Sequence, residues 1–332
     1  MTQEFIATKQ MRLDKFLSEE LKQSRNQIEQ LIKKGFVKIE HKTLTKTGSK
    51  LQVNQRVFVT LPKIEKVEHI VEDCLWYKDI EIIHEDDDIL VINKPSGVIV
   101  HDAPSVNEPT LVDWLKKKDI SLSTISGEER HGIVHRLDKG TSGVLVIAKS
   151  NEAHAKLSSQ LEDKSMGRYY VAIIDIPLKD DCIVEAPIYR SQNNRLKMGI
   201  VPTGKYAKTA FKKLVLNKHT QNNSPKYEVI AAKLFTGRTH QIRVHLESMN
   251  RHILGDGLYG FKGNDANINR IYLHAYCLYL VHPITNENMK FIASVPKNME
   301  DLISNNFDEE IINEKIDKSF IINSFDNVDE WL

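Results

Sequence analysis

Apolar residues recur at helical spacing at Leu13, Phe16, Leu17 and Leu21, which predicts a helix within residues 12–21. A second helix is announced by Ser24 as N-cap, with Gln27 three residues on as in a capping box. Ile28, Leu31 and Ile32 form its apolar stripe, and Gly35 its stop. Lys33 and Lys34 fall off that stripe. Short strands are expected at 36–39 and 56–61, with Lys42, Lys46 and Lys50 between them. From Ile89 the pattern changes. Strands are expected at 89–92, 98–100, 143–148 and 169–174, and near 206–216 and 226–235; helices are expected at 110–118, 151–161 and from Thr239 to about Ser248. Many strands broken by few helices predict an α+β fold with a mixed, largely antiparallel sheet, preceded by a small α/β unit.

The 332 residues leave room for two domains, and 41% hydrophobic with 27% charged residues is an ordinary globular balance. No apolar run approaches the roughly 20 residues needed to cross a bilayer. The N-terminus lacks an export pattern, and three scattered cysteines form no disulfide framework or CxxC site. The expectation is a cytoplasmic protein with no membrane partner, acting as a monomer. The net charge of +1 conceals opposed blocks: +7 over residues 1–63, −8 over 64–88, +9 over 89–300 and −7 over 301–332. This divides the chain into a basic first body, an acidic connector, a second basic body and an acidic tail. Basic bodies suit a polyanion, because each phosphate contact releases counterions. The tail's apolar residues (Phe307, Ile311, Ile312, Phe320, Ile321, Ile322, Trp331) either dock as helix or stay mobile.

The stretch richest in chemistry is His131-Gly-Ile-Val-His-Arg-Leu-Asp-Lys-Gly-Thr-Ser-Gly143, a loop feeding the strand expected at 143–148. In extended backbone Arg136 and Asp138 share a side. There a guanidinium would meet a carboxylate able to act as a nucleophile at a sugar carbon. His131, His135 and Asp138 also offer metal-ligand types, although Gly-Ile-Val between the histidines is poor helix. In the stretch 234–246, Arg243 reads as a phosphate contact and His245 as a packing residue. His240 and His245 are five apart and make no HExxH-type site. His274 reads as a hydrogen-bonded structural residue. Neither a Rossmann glycine fingerprint nor a P-loop is present.

The run HRLDKGTSG resembles the signature of the RluA-type pseudouridine synthases. The resemblance continues through INKPSGVIVH (92–101), GRYYVAII (167–174), LFTGRTHQIRVHL (234–246), ILGDGLYG (253–260) and LHAYCL (273–278). Residues 11–61, with RLDKFL and SRNQIEQLIKKGFV, resemble the S4 RNA-binding module. The resemblance implies a pseudouridine synthase catalytic fold with a central cleft that isomerises uridine to pseudouridine. That reaction needs no redox cofactor, ATP or metal. Asp138 matches the family's catalytic aspartate. Arg136 matches the arginine that holds the flipped nucleotide and pairs with that aspartate. Tyr170 matches the tyrosine that stacks on the base and is a candidate for proton removal, and Arg243 the basic residue paired with the carboxylate. Where the family often has Lys before this tyrosine the chain has Arg168, and Tyr169 competes with Tyr170 for the stacking role.

Arg12, Lys15, Ser24, Arg25, Lys33 and Lys34 are expected RNA contacts in the first body; His135, Arg238 and His240 are expected in the second. The S4-like module, and the likeness of residues 186–211 to large-subunit members, imply 23S rRNA or the large ribosomal subunit as partner. Three other readings stand: a synthase acting on tRNA, a non-catalytic RNA-binding assembly factor, and a metal-dependent RNA hydrolase using His131, His135 and Asp138.

Overall fold

The computed structural model divides into two compact units, Met1–His69 and Ile70–Leu332. The structure describes residues 2–21, 25–40, 42–43, 46, 48–60, 74–101, 108–118, 120, 122–123, 131–218, 227–263 and 268–328.

The first unit runs β1 (Thr2–Ile6), β2 (Met11–Arg12), α1 (Leu13–Glu20), α2 (Arg25–Lys33), β3 (Val37–Ile39), β4 (Lys42–Thr43), β5 (Lys50–Leu51) and β6 (Arg56–Thr60). Both expected helices form. Their apolar stripes, Leu13, Phe16 and Leu17 with Ile28 and Ile32, close on Val37, Val57 and Val59 of a β1-β6-β3-β4 sheet. Gly35 takes φ +76°, the left-handed conformation a helix stop demands and glycine supplies without strain. Ser24 lies outside the described residues, and Arg25 is placed by the backbone of α2 alone.

The second unit adds β7 (Glu81–Glu85), β8 (Ile89–Lys94), α3 (Leu111–Lys117), β9 (Ser142–Ala148), α4 (Asn151–Glu162), β10 (Gly167–Ile174), β11 (Cys182–Glu185), β12 (Ile188–Arg190), β13 (Met198–Ile200), β14 (Lys208–Leu216), β15 (Glu228–Leu234), α5 (Gln241–Ser248), β16 (Leu273–Val281), β17 (Asn288–Ile292), α6 (Lys297–Asn306), α7 (Glu309–Lys315) and α8 (Lys318–Asn323). Its main sheet runs β11-β14-β15-β10-β16-β9-β8-β7, with β17 also paired to β16. The fold is α+β, and β16 with β9 is the parallel pair in an otherwise antiparallel sheet. At that pairing Gly143 has φ +118°, and a Cβ there would lie 2.2 Å from the carbonyl oxygen of Ala275. Only glycine lets the chain leave the 131–142 loop and enter β9 this close to its neighbour. β9 is buried along its whole length.

Three expectations change. Residues 98–100 form no strand; Ile99 makes a single bridge to Thr110, which caps α3 through a capping box with Asp113. The acidic connector is in part sheet. Glu81–Glu85 is edge strand β7, and Asp86 accepts the backbone N–H groups of Asp88 and Ile89 at 2.8 Å to close the turn into β8. Its charges masked the strand period, and charge on an edge strand blocks pairing with other chains. The acidic tail docks as helix. Asp308 and Asp317 accept N–H groups in the first turns of α7 and α8, so part of the negative charge caps helices. Phe307, Ile312, Ile321, Phe325 and Val328 join the main core, where Phe325 meets Tyr169 with ring centroids 5.6 Å apart. Trp331 lies outside the described residues.

Phe325 is 1% exposed. Phe325→Ala is therefore expected to lower stability by about 3–5 kcal/mol in a denaturant titration; an unchanged midpoint would show that the tail contributes nothing to the core.

Candidate active site

The loop before β9 is held from below by the turn after β8. Gly97 N–H donates to the Lys139 carbonyl at 2.7 Å and Ser96 Oγ to the Gly140 carbonyl at 2.8 Å. That turn is itself fastened by Lys94, whose fully buried ammonium donates to the carbonyls of Pro95 and Val98, each at 2.9 Å. Burial pushes the Lys94 pKa down to about 7, against the pull of the Asp138 carboxylate. Leu137 is buried beneath the loop, Thr141 N–H donates to the Asp138 carbonyl, and the Asp138 side chain emerges 17% exposed into a cavity of about 580 Å³.

Arg243 meets Asp138 from α5. Its Nη1 donates to Asp138 Oδ2 at 3.1 Å, while Nε and Nη2 donate to the two oxygens of Asp256 at 2.7 and 2.9 Å. The guanidinium stands over the Tyr259 ring, 4.7 Å from its centroid. Burial opposes the cation, but the carboxylates of Asp256 and Asp138 outweigh it and raise the Arg243 pKa. The pairing of Asp138 with Arg136 expected from i, i+2 spacing is corrected. Residues 136–138 are irregular loop rather than strand, and exposed Arg136 has its Nη1 3.3 Å from His101 Nε2. Arg136 and Arg243 both line the cavity that holds Asp138.

The choice between adjacent tyrosines is decided by sheet faces. Tyr170 lines the cavity, whereas Tyr169 points to the other face, against Tyr279 and Phe325. Burial raises the Tyr170 pKa to about 12, countered by Arg168 and reinforced by Asp138. Burial thus favours the protonated phenol in the substrate-free site. Arg168, two residues before Tyr170 and on the same face, also lines the cavity, and its buried Nε has no hydrogen-bond partner. A Cβ on Gly237 would lie 2.5 Å from Arg168 Nη1, so glycine there makes room for the guanidinium.

His240 sits at the start of α5 in left-handed backbone, φ +57°. It is the N-cap of the helix expected to begin at Thr239, and its side chain makes no capping hydrogen bond. Its Nδ1 is 2.8 Å from Tyr259 Oη and its Nε2 is 3.8 Å from Asp138 Oδ2. Gln241 ties the helix start down, accepting from Thr236 Oγ1 and Arg238 N–H and donating to Lys208 and Thr209 of β14.

The remaining expected contacts separate. Arg238 lies on the cavity rim, with Nε donating to the Tyr206 carbonyl. His135 lines the cavity but is not a phosphate-binding cation. Its Nε2 accepts the Val146 N–H at 3.2 Å, and burial, helped by the Arg168 charge, drives its pKa down to about 3. In the first unit Lys15, Lys33 and Lys34 are exposed, whereas Arg12 makes a bidentate pair with buried Asp14. His245 and His274 are buried and hydrogen-bonded, as expected of structural residues.

Donor atoms of His131, His135 and Asp138 do not converge. Among the described residues the His/Asp grouping is Asp86, Asp88 and His282. There His282 Nδ1 accepts two backbone N–H groups, from Ile284 and Thr285, which leaves the ring proton on Nε2, facing Asp86, and no lone pair for a metal. Sequence reasoning missed Asp256, Tyr259 and Lys94 as site residues, and noted Arg168 only as a departure from the family pattern. The first two stand in the run 253–260, but nothing in that run signals a partner for Arg243.

The comparisons with known proteins converge on one family. Residues 88–248 match the RNA pseudouridylate synthase family and residues 11–57 the S4 domain. An uncharacterized RNA pseudouridine synthase of Helicobacter pylori (strain J99) is 45% identical, covering 98% of this chain and 99% of its own. The ribosomal large subunit pseudouridine synthase D of Zymomonas mobilis is 36% identical, over 90% of this chain and 96% of its own. Among solved structures, human RNA pseudouridylate synthase domain containing 1 superposes with a TM-score of 0.57 at 20% identity, covering 72% of this chain and 95% of that one; this likeness shows the shared fold. Among the described residues no helix is long and apolar enough to cross a membrane. With the relatives matched nearly end to end, and a cavity that gathers Asp138, Tyr170, Arg136, Arg168, Arg238 and Arg243, the chain belongs to the RNA pseudouridylate synthase family and is an RNA pseudouridine synthase carrying an S4 domain.

Proposed function

We propose that Asp138 is the catalytic carboxylate of this isomerase and that its substrate is the 23S RNA of the large ribosomal subunit. The observation that carries the first part is the Arg243–Asp138 pair, 3.1 Å long and opening into the cavity beside Tyr170. Isomerisation breaks the bond from uracil N1 to C1′ and forms one from C5 to C1′. Charge separates between sugar and base on the way, and an ion pair already fixed in place stabilises it without reorganisation. The base must first leave its stack, at a cost of a few kcal/mol. Tyr170 offers the flat face that receives it, and Arg136 stands exposed on the same cavity. The target rests on the S4 domain with its exposed lysines and on the Zymomonas mobilis relative's name. Two other readings, a tRNA substrate and a non-catalytic assembly factor, lack a comparable observation. The second leaves the Asp138–Arg243–Tyr170 grouping without a use.

Mapping pseudouridines in total RNA from cells with and without the gene tests the target. Sites vanishing from 23S RNA are expected, and losses confined to tRNA would overturn it. Asp138→Asn is expected to cut modification more than about a thousandfold while RNA affinity in a filter-binding assay stays within about threefold. Turnover at the wild-type rate would remove Asp138 from the chemistry. Replacing Lys15, Lys33 and Lys34 together by Gln should lower the slope of log affinity against log salt by about 0.7–0.9 for each phosphate no longer neutralised; an unchanged slope would assign the S4 unit another task.

A further inference from the structure

Among the described residues, nothing neutralises the charge of Arg168. Other arginines of the chain are answered. Arg12 pairs with Asp14, Arg243 with Asp138 and Asp256, and Arg270 donates to the Ser142 hydroxyl and the Leu273 carbonyl. Arg168 Nε is sealed from solvent without a hydrogen-bond partner, and among the described residues the guanidinium forms no ion pair. Burial disfavours its charge and lowers its pKa, and the neighbour that favours the charge is the Tyr170 phenol rather than a carboxylate. A guanidinium stays protonated inside a protein. The free protein therefore carries a cation that costs stability, as a charge buried without compensation does.

The surroundings keep that cation in the cavity wall. Arg168 stands opposite Leu234, where β15 ends, and Gly237 just beyond leaves space for Nη1 that a Cβ would take. Lys164 and Arg238 line the same cavity, with the half-exposed ring of Tyr206, whose centroid is 6.0 Å from Lys164 Nζ. Glu162 is also there but exposed, where water screens it. Asp138, the other carboxylate lining the cavity, is already held by Arg243. The excess charge of the cavity is positive, and Arg168 is its least compensated part.

We propose that Arg168 binds an RNA phosphate, that of a linkage flanking the target uridine. The assignment rests on the reading of this cavity as the place where that uridine enters. RNA carries its negative charge on phosphates, and the guanidinium fork matches two phosphate oxygens. Uracil oxygens are neutral and would leave the cation uncompensated. Arg168 and Tyr170 share one face of β10 at two-residue spacing, about 7 Å. A nucleotide whose base meets Tyr170 thus brings its own linkages towards the guanidinium. Seating the RNA removes the cost that the free protein bears, so Arg168 serves binding at the expense of stability.

The test uses the full chain and an RNA oligomer spanning a uridine that the wild type modifies, made with ordinary linkages or with one neutral methylphosphonate on either side of that uridine. In filter binding, Arg168→Met is expected to bind the ordinary oligomer about ten- to a hundredfold more weakly. It should also lower the slope of log affinity against log salt by about 0.7–0.9, while Arg168→Lys keeps the slope. One of the two methylphosphonates should weaken the wild type as much as the Met substitution does, and weaken Arg168→Met no further. Arg168→Met is expected to melt at or above the wild-type temperature, because an uncompensated charge has been removed. An unchanged slope in Arg168→Met overturns the proposal; slower turnover with that slope would assign the guanidinium to a neutral uracil oxygen. Lower melting temperatures in both variants, with losses that multiply at both linkages, would mark a structural arginine and also overturn it. Asp138→Asn modifying at the wild-type rate refutes the reading of the cavity, and the phosphate assignment falls with it. An inactive Asp138→Asn beside an unchanged Arg168→Met slope refutes the phosphate assignment alone.

Discussion

A single guanidinium serves two carboxylates at the centre of the catalytic unit. Arg243 spends two of its nitrogens on Asp256 and the third on Asp138, above the face of Tyr259. Asp256 is 1% exposed and Arg243 5%, so their pair is buried, while Asp138 keeps a side to the cavity. Breaking a buried pair by removing one partner costs about 3–5 kcal/mol, because a charge is left without compensation. Asp256 thus holds the cation as a fixture, and the cation in turn fixes one oxygen of Asp138. The planar fork of arginine suits this, since a lysine ammonium could not grip Asp256 at two atoms and still reach a second carboxylate in a set direction.

The backbone around this pair is organised to the same end. The loop bearing Asp138 is clamped through the carbonyls of Lys139 and Gly140 by the Pro95–Val98 turn, and that turn closes over a lysine with no exposed surface. Gly143 then lets the loop run into a strand packed against β16 at a distance no other residue tolerates. Rigid elements supply each group: α5 gives Arg243, β10 gives Tyr170 and Arg168, and the clamped loop gives Asp138. Precision of this kind is what a reaction between fixed partners needs, because misplacement by an ångström can cost two orders of magnitude in rate.

Much of this was readable along the chain, and the failures share a cause. The helices of the first unit, β9, β10 and the 131–143 loop announce themselves through local period and glycine placement, which depend on neighbours in sequence. The pairing of Asp138 with Arg243 spans 105 positions and depends on where α5 lands, so spacing favoured Arg136, two residues away. Local regularity misled in the same way at 98–100, where β-branched residues suggested a strand that the Lys94-held turn precludes. Charge misled at 81–85, where glutamates on an edge strand looked like a connector. His240 was legible as a polar residue in a motif. Its left-handed backbone and its contact with Tyr259 were not, since both are imposed by the junction of β15 with α5.

The two faces of the main sheet explain why adjacent tyrosines have opposite fates. A β-bulge lies between Tyr169 and Tyr170 in the pairing with β16, yet the pleat still sends their rings to opposite sides. Tyr170 is left to the cavity, and Tyr169 is covered by the C-terminal helices through Phe325 and by Tyr279. The acidic tail is therefore no stray appendage. Its apolar residues seal the face that the cavity does not use, and two of its aspartates cap the short helices that deliver them. Negative charge committed to caps and turns is local charge. The same holds for Asp86, whose oxygens take two backbone N–H groups and a histidine. Acid used in this way is neutralised close to where it stands, so the basic bodies are less opposed in meeting a polyanion than the net charge of +1 suggests.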